Sequence, residues 1–235
     1  MDNKPAVTRR GEIAVGLELS LAAGLGMFPL GVAYGLLVVQ AGLPWWLAPA
    51  LSVAVFAGSM ELLLVGLIAT AAPLVTIAVT TFLVNFRHVF YAFTFPLDVV
   101  KNPVARTYSV YALIDEAYAV TAATPKGWTS WRLVSMQLAF QGYWFFGGLT
   151  GVALGSVLPV QIEGLEFALC ALFVTLTLDA CRSKAEVPSL LLAATCFAIA
   201  AVAFPNATLL VGLLLFVTTL VGRYFLTRER GRSDA

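Results

Sequence analysis

The chain has 235 residues, of which 60% are hydrophobic and 11% charged, and its formal net charge is +1. Soluble domains carry roughly 25% charged residues, so this composition excludes an ordinary soluble domain and indicates an integral membrane protein. A net charge near zero gives no indication of nucleic-acid binding, because the Lys and Arg residues lie mostly between apolar runs. Those runs are continuous rather than alternating, which predicts membrane-spanning helices.

The apolar runs predict an all-α, polytopic transmembrane helical bundle of about eight spans, with seven as the alternative. They form one integral membrane domain over residues 1–235, with cytoplasmic tails at 1–12 and 227–235. The breaks at 70–73 and 204–206 are short and uncharged, so they predict either tight turns or a re-entrant flanking span. The predicted spans are 13–39, 45–70, 74–96, 104–124, 131–158, 164–181, 188–204 and 207–226.

The first span contains the run Phe28-Pro29-Leu30-Gly31. Proline removes a backbone hydrogen bond and glycine adds flexibility, so this helix is predicted to bend or break near the membrane midplane. Broken helices at that depth hold substrate groups in secondary transporters, which makes Gly31 a candidate substrate-binding residue. Close helix packing explains most of the other glycines in spans 1 and 5, and Trp144 in span 5 is predicted to pack in the bundle.

Polar residues also occur near the centres of spans 2, 3 and 4. A full cation at bilayer depth costs about 3 kcal/mol on insertion scales, so such residues are expected to form either a polar pathway or a buried ion pair. The polar runs are AGSMELLLVG with Gly58, Ser59 and Glu61, VNFRHVFYA with Asn85, Arg87 and His88, and LIDEAY with Asp115 and Glu116.

Arg87 has two interpretations. It forms a structural ion pair with Glu61, Asp115 or Glu116, or it recognises a substrate carboxylate, for which a guanidinium group is well shaped. One residue can do both in different states, and the sequence leaves the choice open.

Helical geometry separates the neighbouring acidic residues. Asp115 and Glu116 point about 100° apart, so they cannot serve one small site equally. Asp115 shares its helix face with Tyr111 and Tyr118, whose hydroxyls would hydrogen-bond its carboxylate. Asp115 is therefore predicted to face inward, and Glu116 to lie at a contact between helices.

Two sets of candidate residues follow. A conformational change that moves Arg87 relative to a buried carboxylate changes the proton affinity of that carboxylate, and a histidine can relay protons near neutral pH. The predicted ion-coupling residues are Asp115, Glu116, Glu61 and His88. The predicted substrate-binding residues are Gly58, Ser59, Asn85, Arg87 and Gly31. No cofactor or metal ion is expected, because the chain has one His and its three Cys lack CxxC spacing.

The runs FAGSMELLLV, LVNFRHVFYAF, LIDEAYAV, WFFGGLTGVALG and LEFALCALF, in this order and spacing, resemble the AzlC family, the large subunits of bacterial branched-chain amino acid exporters. The resemblance covers about residues 16–216. It implies export of branched-chain or other hydrophobic amino acids across the inner membrane, driven by proton antiport, together with a small AzlD-like membrane subunit. Glu61 departs from the family, since many relatives carry Gln there, and an added carboxylate could change ion coupling or substrate choice.

Two other classes of protein are less well supported. An intramembrane hydrolase would use Ser59 as nucleophile and His88 as its base, but no Gly-x-Ser-x-Gly elbow is present and the neighbouring Arg87 disfavours a protonated histidine. A non-transporting membrane scaffold would have no use for so many buried charges. The sequence therefore favours a transporter over an enzyme.

The distribution of basic residues predicts the orientation. With eight spans, eleven of the 14 Lys and Arg residues lie on the side of the N-terminus, Arg87 lies within a span, and two lie on the other side. Because cytoplasmic loops carry the excess of Lys and Arg, both termini are predicted to be cytoplasmic. Reporter fusions at Ala235 and at Lys101 should give opposite sides of the membrane. Fusions on the same side would mean that a span has been miscounted, most simply around 70–73.

Overall fold

The structure, a computed structural model, describes residues 8–124, 126–157, 187–205 and 208–233, with the single positions Phe167 and Val174. These residues form helices and connecting turns, with no strand among them. The chain divides into two compact units, Met1–Cys170 and Ala171–Ala235, which are described separately. The predicted span 164–181 lies outside the described residues apart from those two single positions, as do residues 1–7 and 234–235 of the predicted tails.

The first unit begins and ends with long helices and has shorter ones between them. In its described part the helices are α1 (Arg9–Gln40), α2 (Leu47–Ala54), α3 (Gly58–Ala69), α4 (Leu74–Asn85), α5 (His88–Tyr91), α6 (Pro103–Tyr111), α7 (Asp115–Ala123) and α8 (Ser130–Val157). Each of the first five predicted spans therefore falls on one helix or on two helices in succession. The second unit contains α9 (Val187–Ala203) and α10 (Thr208–Ser233), which match the last two predicted spans.

The apolar character of the helices extends to their outer surfaces. By length and composition, Arg9–Gln40 and Leu74–Tyr91 could each cross a membrane, and Gly58–Ala69, Val187–Ala203 and Val211–Phe225 are shorter apolar helical segments. Large apolar side chains on the outside are strongly exposed, as at Leu74 (83%) and Phe93 (80%). Such surfaces suit lipid rather than water.

Helices α1 and α8 pack against each other along most of their lengths, in parallel. Gly31 contacts Gly147, and further along both helices Gly35 contacts Gly148. At the start of both helices, Arg132 forms an ion pair with Glu12 at 3.0 Å. Two membrane spans can run in the same direction only if an odd number of spans lies between them. Three spans are predicted between α1 and α8, which agrees with this requirement. Small residues allow this close approach of the two backbones.

A bend or a break was predicted at Pro29, and the break does not occur, because α1 continues without interruption from Arg9 to Gln40 with Pro29 inside it. Proline removes one backbone hydrogen bond but leaves those of the neighbouring turns. On both sides of Pro29, Gly24 and Gly35 contact side chains or backbone of α8, and these contacts support the helix through the defect.

The helix breaks lie instead in predicted spans 2 and 4. Residues 55–57 separate α2 from α3, and Phe56 there has a φ of 44°, in the left-handed region. Residues 112–114 separate α6 from α7. Between α4 and α5 the interruption is slight, because Phe86 and Arg87 keep helical dihedral angles.

Side chains from other helices satisfy the backbone groups that these breaks leave free. Gln137 of α8 is fully buried and donates to the backbone carbonyls of Ser109 (2.9 Å) and Ala112 (3.0 Å). The Tyr111 hydroxyl donates to the carbonyl of Val53 at 2.5 Å, near the end of α2. Free backbone groups are very costly in a membrane, so these bonds make the breaks tolerable.

In the second unit, α9 and α10 form an antiparallel pair. Phe197 packs beside Gly212, and Arg223 donates to Ser189 at 3.2 Å, so the start of α9 lies beside the later part of α10. Cys196 is buried in this pair. The predicted break at 204–206 begins directly after α9, which ends at Ala203, and its last residue, Asn206, lies outside the described residues.

The glycine contacts between α1 and α8 lead to a test with a matched control. A Cβ at Gly35 would lie 2.7 Å from the Val152 backbone nitrogen, whereas Gly26 of the same helix has nothing within 4 Å. Gly35→Ala should therefore destabilise the protein by about 1–3 kcal/mol through overpacking, while Gly26→Ala should be neutral or slightly stabilising. Thermal unfolding in detergent measures both variants. Equal effects would contradict the importance of this contact.

Candidate functional site

The candidate site centres on an ion pair between Arg87 and Asp115. The Arg87 Nη2 atom lies 2.6 Å from Asp115 Oδ2 and also donates to the Ser59 hydroxyl at 3.0 Å. Arg87 lies between α4 and α5, whereas Asp115 and Ser59 lie in the first turns of α7 and α3. Three predicted spans thus meet at one guanidinium group, and of the carboxylates proposed as its partner it pairs with Asp115.

A tyrosine completes the environment of Asp115, although it is not one of those predicted. The Tyr91 hydroxyl donates to Asp115 Oδ1 at 2.8 Å, and its ring stacks on Tyr118 with the centroids 4.2 Å apart. Tyr111 bonds to the Val53 carbonyl instead. The prediction assumed one helix through residues 111–118, but the break at 112–114 removes the shared face. We call Ser59, Arg87, Tyr91 and Asp115 the arginine cluster.

Glu61 occupies a different environment from Asp115. Its carboxylate is fully buried and accepts hydrogen bonds from the Ser52 hydroxyl (3.0 Å), the Trp144 indole (3.0 Å) and the Ala57 backbone N–H (3.1 Å). In the part of the chain that the structure describes, no Lys or Arg lies within ion-pair distance of it. Glu61 therefore joins α2, α3 and α8 around the first break, and Arg87 is not its partner.

Trp144 packs inside the first unit, as predicted. It is 3% exposed, stacks on Tyr34 at a centroid separation of 5.6 Å, and donates to Glu61. A Cβ at Gly58 would lie only 3.0 Å from the Trp144 ring, so Gly58 is small because the indole covers it. Gly31 is buried against α8, where the Trp144 carbonyl occupies the space that a side chain would need. The structure thus gives both glycines packing contacts.

The remaining predicted residues lie next to the arginine cluster. His88 donates from Nδ1 to the backbone carbonyl of Asn85 at 2.9 Å. Asn85 Oδ1 and Arg87 Nε are both buried and have no hydrogen-bond partner among the described residues. Glu116 is half-buried in the first turn of α7, beside Asp115. Two polar atoms beside the ion pair are therefore available for a ligand.

A cavity of about 270 Å³ adjoins the arginine cluster. Several of its lining residues lie within two positions of the cluster: Ala57 precedes Ser59, Asn85 and His88 flank Arg87, and Leu113 precedes Asp115. The lining is largely apolar, which is typical of sites for small molecules. The lining residues are Val55, Phe56, Ala57, Asn85, His88, Ala92, Leu97, Val110, Tyr111 and Leu113.

The geometry gives no support for the hydrolase alternative. Ser59 accepts from Arg87, and His88 donates to Asn85, so within the described ranges no hydrogen bond joins Ser59 to His88. Nor does any group of three or more His, Cys, Asp or Glu side chains in those ranges have an arrangement that could hold a metal ion.

Sequence reasoning missed three residues that shape the site: Tyr91, Ser52 and Trp144 in its role as a donor. Tyr91 follows His88 by three residues, a spacing that places it on the polar side of its helix. Ser52 gave no signal, because a serine in an apolar helix most often bonds to its own backbone. The indole nitrogen of a buried Trp needs an acceptor, and this requirement pointed toward a carboxylate such as Glu61.

Apolar helices joined at their interruptions by an ion pair, with a small cavity beside it, define an integral membrane protein with an internal polar site. A family model described as AzlC protein matches residues 22–158, which is more than half of the chain. The chain therefore belongs to the AzlC family, as its sequence motifs predicted.

Curated relatives agree with this assignment. A Helicobacter pylori protein described as an uncharacterized membrane protein is 32% identical over 66% of this chain and 69% of its own length. The branched-chain amino acid transport protein AzlC of Bacillus subtilis is 29% identical over 66% of this chain and 62% of its own length. The inner membrane protein YgaZ of Escherichia coli is 24% identical over 72% and 73%, respectively. No solved structure matches the chain.

Proposed function

We propose that the chain is the transporting subunit of a secondary exporter for branched-chain or other hydrophobic amino acids, and that it works by proton antiport in the bacterial inner membrane. The observation that carries the proposal is the Arg87–Asp115 ion pair, held beside a largely apolar cavity at the breaks of two helices. The name of the Bacillus subtilis relative, a branched-chain amino acid transport protein, supports the substrate class.

The ion pair has the right charges to bind both ends of an amino acid. The guanidinium group of Arg87 would take the substrate carboxylate, with the Ser59 hydroxyl beside it, and the Asp115 carboxylate would take the ammonium group. The substrate is a zwitterion, so its entry adds no net charge to the membrane. It replaces the ion pair between Arg87 and Asp115 by two ion pairs, one between Arg87 and the substrate carboxylate and one between Asp115 and the substrate ammonium group. The side chains of Arg87 and Asp115 are 32% and 23% exposed, which makes the pair accessible to a ligand.

Proton coupling follows from the same carboxylate. Asp115 can hold either the substrate ammonium group or a proton, and competition between two ligands for one group is the basis of antiport. The distance to Arg87 sets which ligand wins, because a nearby guanidinium favours the charged carboxylate. Glu116 and His88 lie beside the pair and would pass the proton onward. Glu61 has its own set of donors, so its contribution to coupling is secondary.

The proposal includes a small second membrane subunit of the AzlD type, which the family resemblance implies. The outward-facing apolar side chains of the first unit provide surface on which a membrane helix could pack. Counterflow of labelled leucine in proteoliposomes, with and without the small subunit, tests both the activity and the need for a partner. A lack of any amino acid counterflow with both subunits present would overturn the proposed function.

Substitutions of Arg87 distinguish recognition from a purely structural ion pair. Arg87→Ala should abolish counterflow, and Arg87→Lys should lose about 10- to 100-fold, the cost of one charge-assisted hydrogen bond. The double variant Arg87→Asp with Asp115→Arg should restore folding but not transport, because the charges then face the wrong ends of the substrate. Arg106→Ala, at an exposed position, is the control and should transport normally. Normal transport by the double variant would show that the ion pair has a structural role and does not recognise the substrate.

Substitution of Asp115 tests the coupling. Asp115→Asn should lose export driven by a proton gradient. It should keep exchange of labelled for unlabelled substrate, because exchange needs no net proton movement, but with a weaker apparent affinity, because an amide binds the substrate ammonium group less tightly than a carboxylate does. Glu61→Gln should be milder, since a glutamine loses about one of the three hydrogen bonds at that place. Gradient-driven export and exchange are measured on the same vesicles. Normal uphill export by Asp115→Asn would show that Asp115 is not the coupling residue.

A further inference from the structure

The lining of the cavity beside the arginine cluster contains both buried and exposed residues. Phe56 and Leu113 are 3% and 5% exposed, whereas Val110 is 53% exposed. Phe56 and Leu113 are therefore lining residues enclosed by the protein.

Phe56 is fixed in place by several constraints. Its backbone has a φ of 44°, and its ring packs on Tyr111 with a centroid separation of 5.8 Å. The Tyr111 hydroxyl in turn donates to the Val53 carbonyl and accepts from Gln141 of α8 at 3.1 Å. A change at Phe56 would disturb the first helix break, so this residue forms a rigid wall.

Leu113 is the buried lining residue whose size can be changed most simply. It lies in the break between α6 and α7, where its backbone N–H donates to the Val110 carbonyl at 3.3 Å. Its side chain is aliphatic and buried, so its volume can change without loss of a polar contact. Leu113 also precedes Asp115 by two residues, so the Cα atoms of the two residues lie within about 7 Å of each other.

From this arrangement we infer that Leu113 sets the largest side chain that the transporter accepts. The inference rests on the proposed function, in which Arg87 and Asp115 hold the two charged ends of the amino acid. With those ends fixed, the side chain of the substrate extends into the cavity, and its reach is limited by the volume of Leu113. Aliphatic side chains of the size of valine or leucine fit within about 270 Å³ more readily than bulky aromatic ones.

The test uses competition rather than absolute rates, so that a partial loss of folded protein does not change the result. Unlabelled valine, leucine and phenylalanine compete with labelled leucine for counterflow in proteoliposomes. Leu113→Ala should shift the preference toward phenylalanine over valine by about tenfold, and Leu113→Phe should shift it toward valine, since a small change in an apolar pocket is worth about that factor. Leu113→Val is a milder variant that should move the ratio in the same direction as Leu113→Ala.

Val104→Ala and Val104→Phe are the matched controls, because Val104 lies in α6, is 78% exposed and does not line the cavity. They should leave the order of preference unchanged. An unchanged order in the Leu113 variants, or an equal shift in the Val104 variants, would overturn the inference while leaving the proposed function intact. A wild-type protein that transports no amino acid would instead overturn the proposed function itself.

Discussion

The ion pair between Arg87 and Asp115, together with the hydrogen bond from Arg87 to Ser59, links the interrupted helices of the first unit. An arginine inside a bilayer needs a carboxylate close by, and Asp115 lies at the start of α7. The N-terminal end of a helix carries a partial positive charge, which would repel Arg87 if no acid stood there. Both helices that begin at a break have an acid in the first turn, Glu61 in α3 and Asp115 in α7.

Around this centre the first unit combines a continuous scaffold with broken elements. The scaffold is the α1–α8 pair, in which facing glycines bring two backbones together. From α8, Gln137 bonds to the end of α6, Gln141 to Tyr111, and Trp144 to Glu61 at the start of α3. The broken segments are thus held by side chains rather than by helix packing alone. Hydrogen bonds can exchange partners at small cost, whereas packed glycine faces cannot separate without creating voids.

The sequence predicted the helical membrane fold and most of the site, because charges within apolar runs are rare and conspicuous. It left the partner of Arg87 open among three acids, since the choice depends on where helices break. Those breaks were not predictable from local composition: Pro29 gave a strong signal for a break that does not occur, while residues 55–57 and 112–114 contain no proline. Their stability depends on distant donors such as Gln137 and Tyr111, which no local pattern reveals.

The contrast between Glu61 and Asp115 assigns them different tasks within the proposed function. Glu61 is fully buried among three neutral donors, from α2, from the first break and from α8, so it stabilises one arrangement of that break. Asp115 shares a partly exposed guanidinium group with Ser59 and lies beside two polar atoms that have no partner among the described residues. A ligand can replace its contacts one at a time. An acid that must exchange a proton and a substrate needs such an accessible, incompletely satisfied environment, and an acid that holds a helix break needs the opposite.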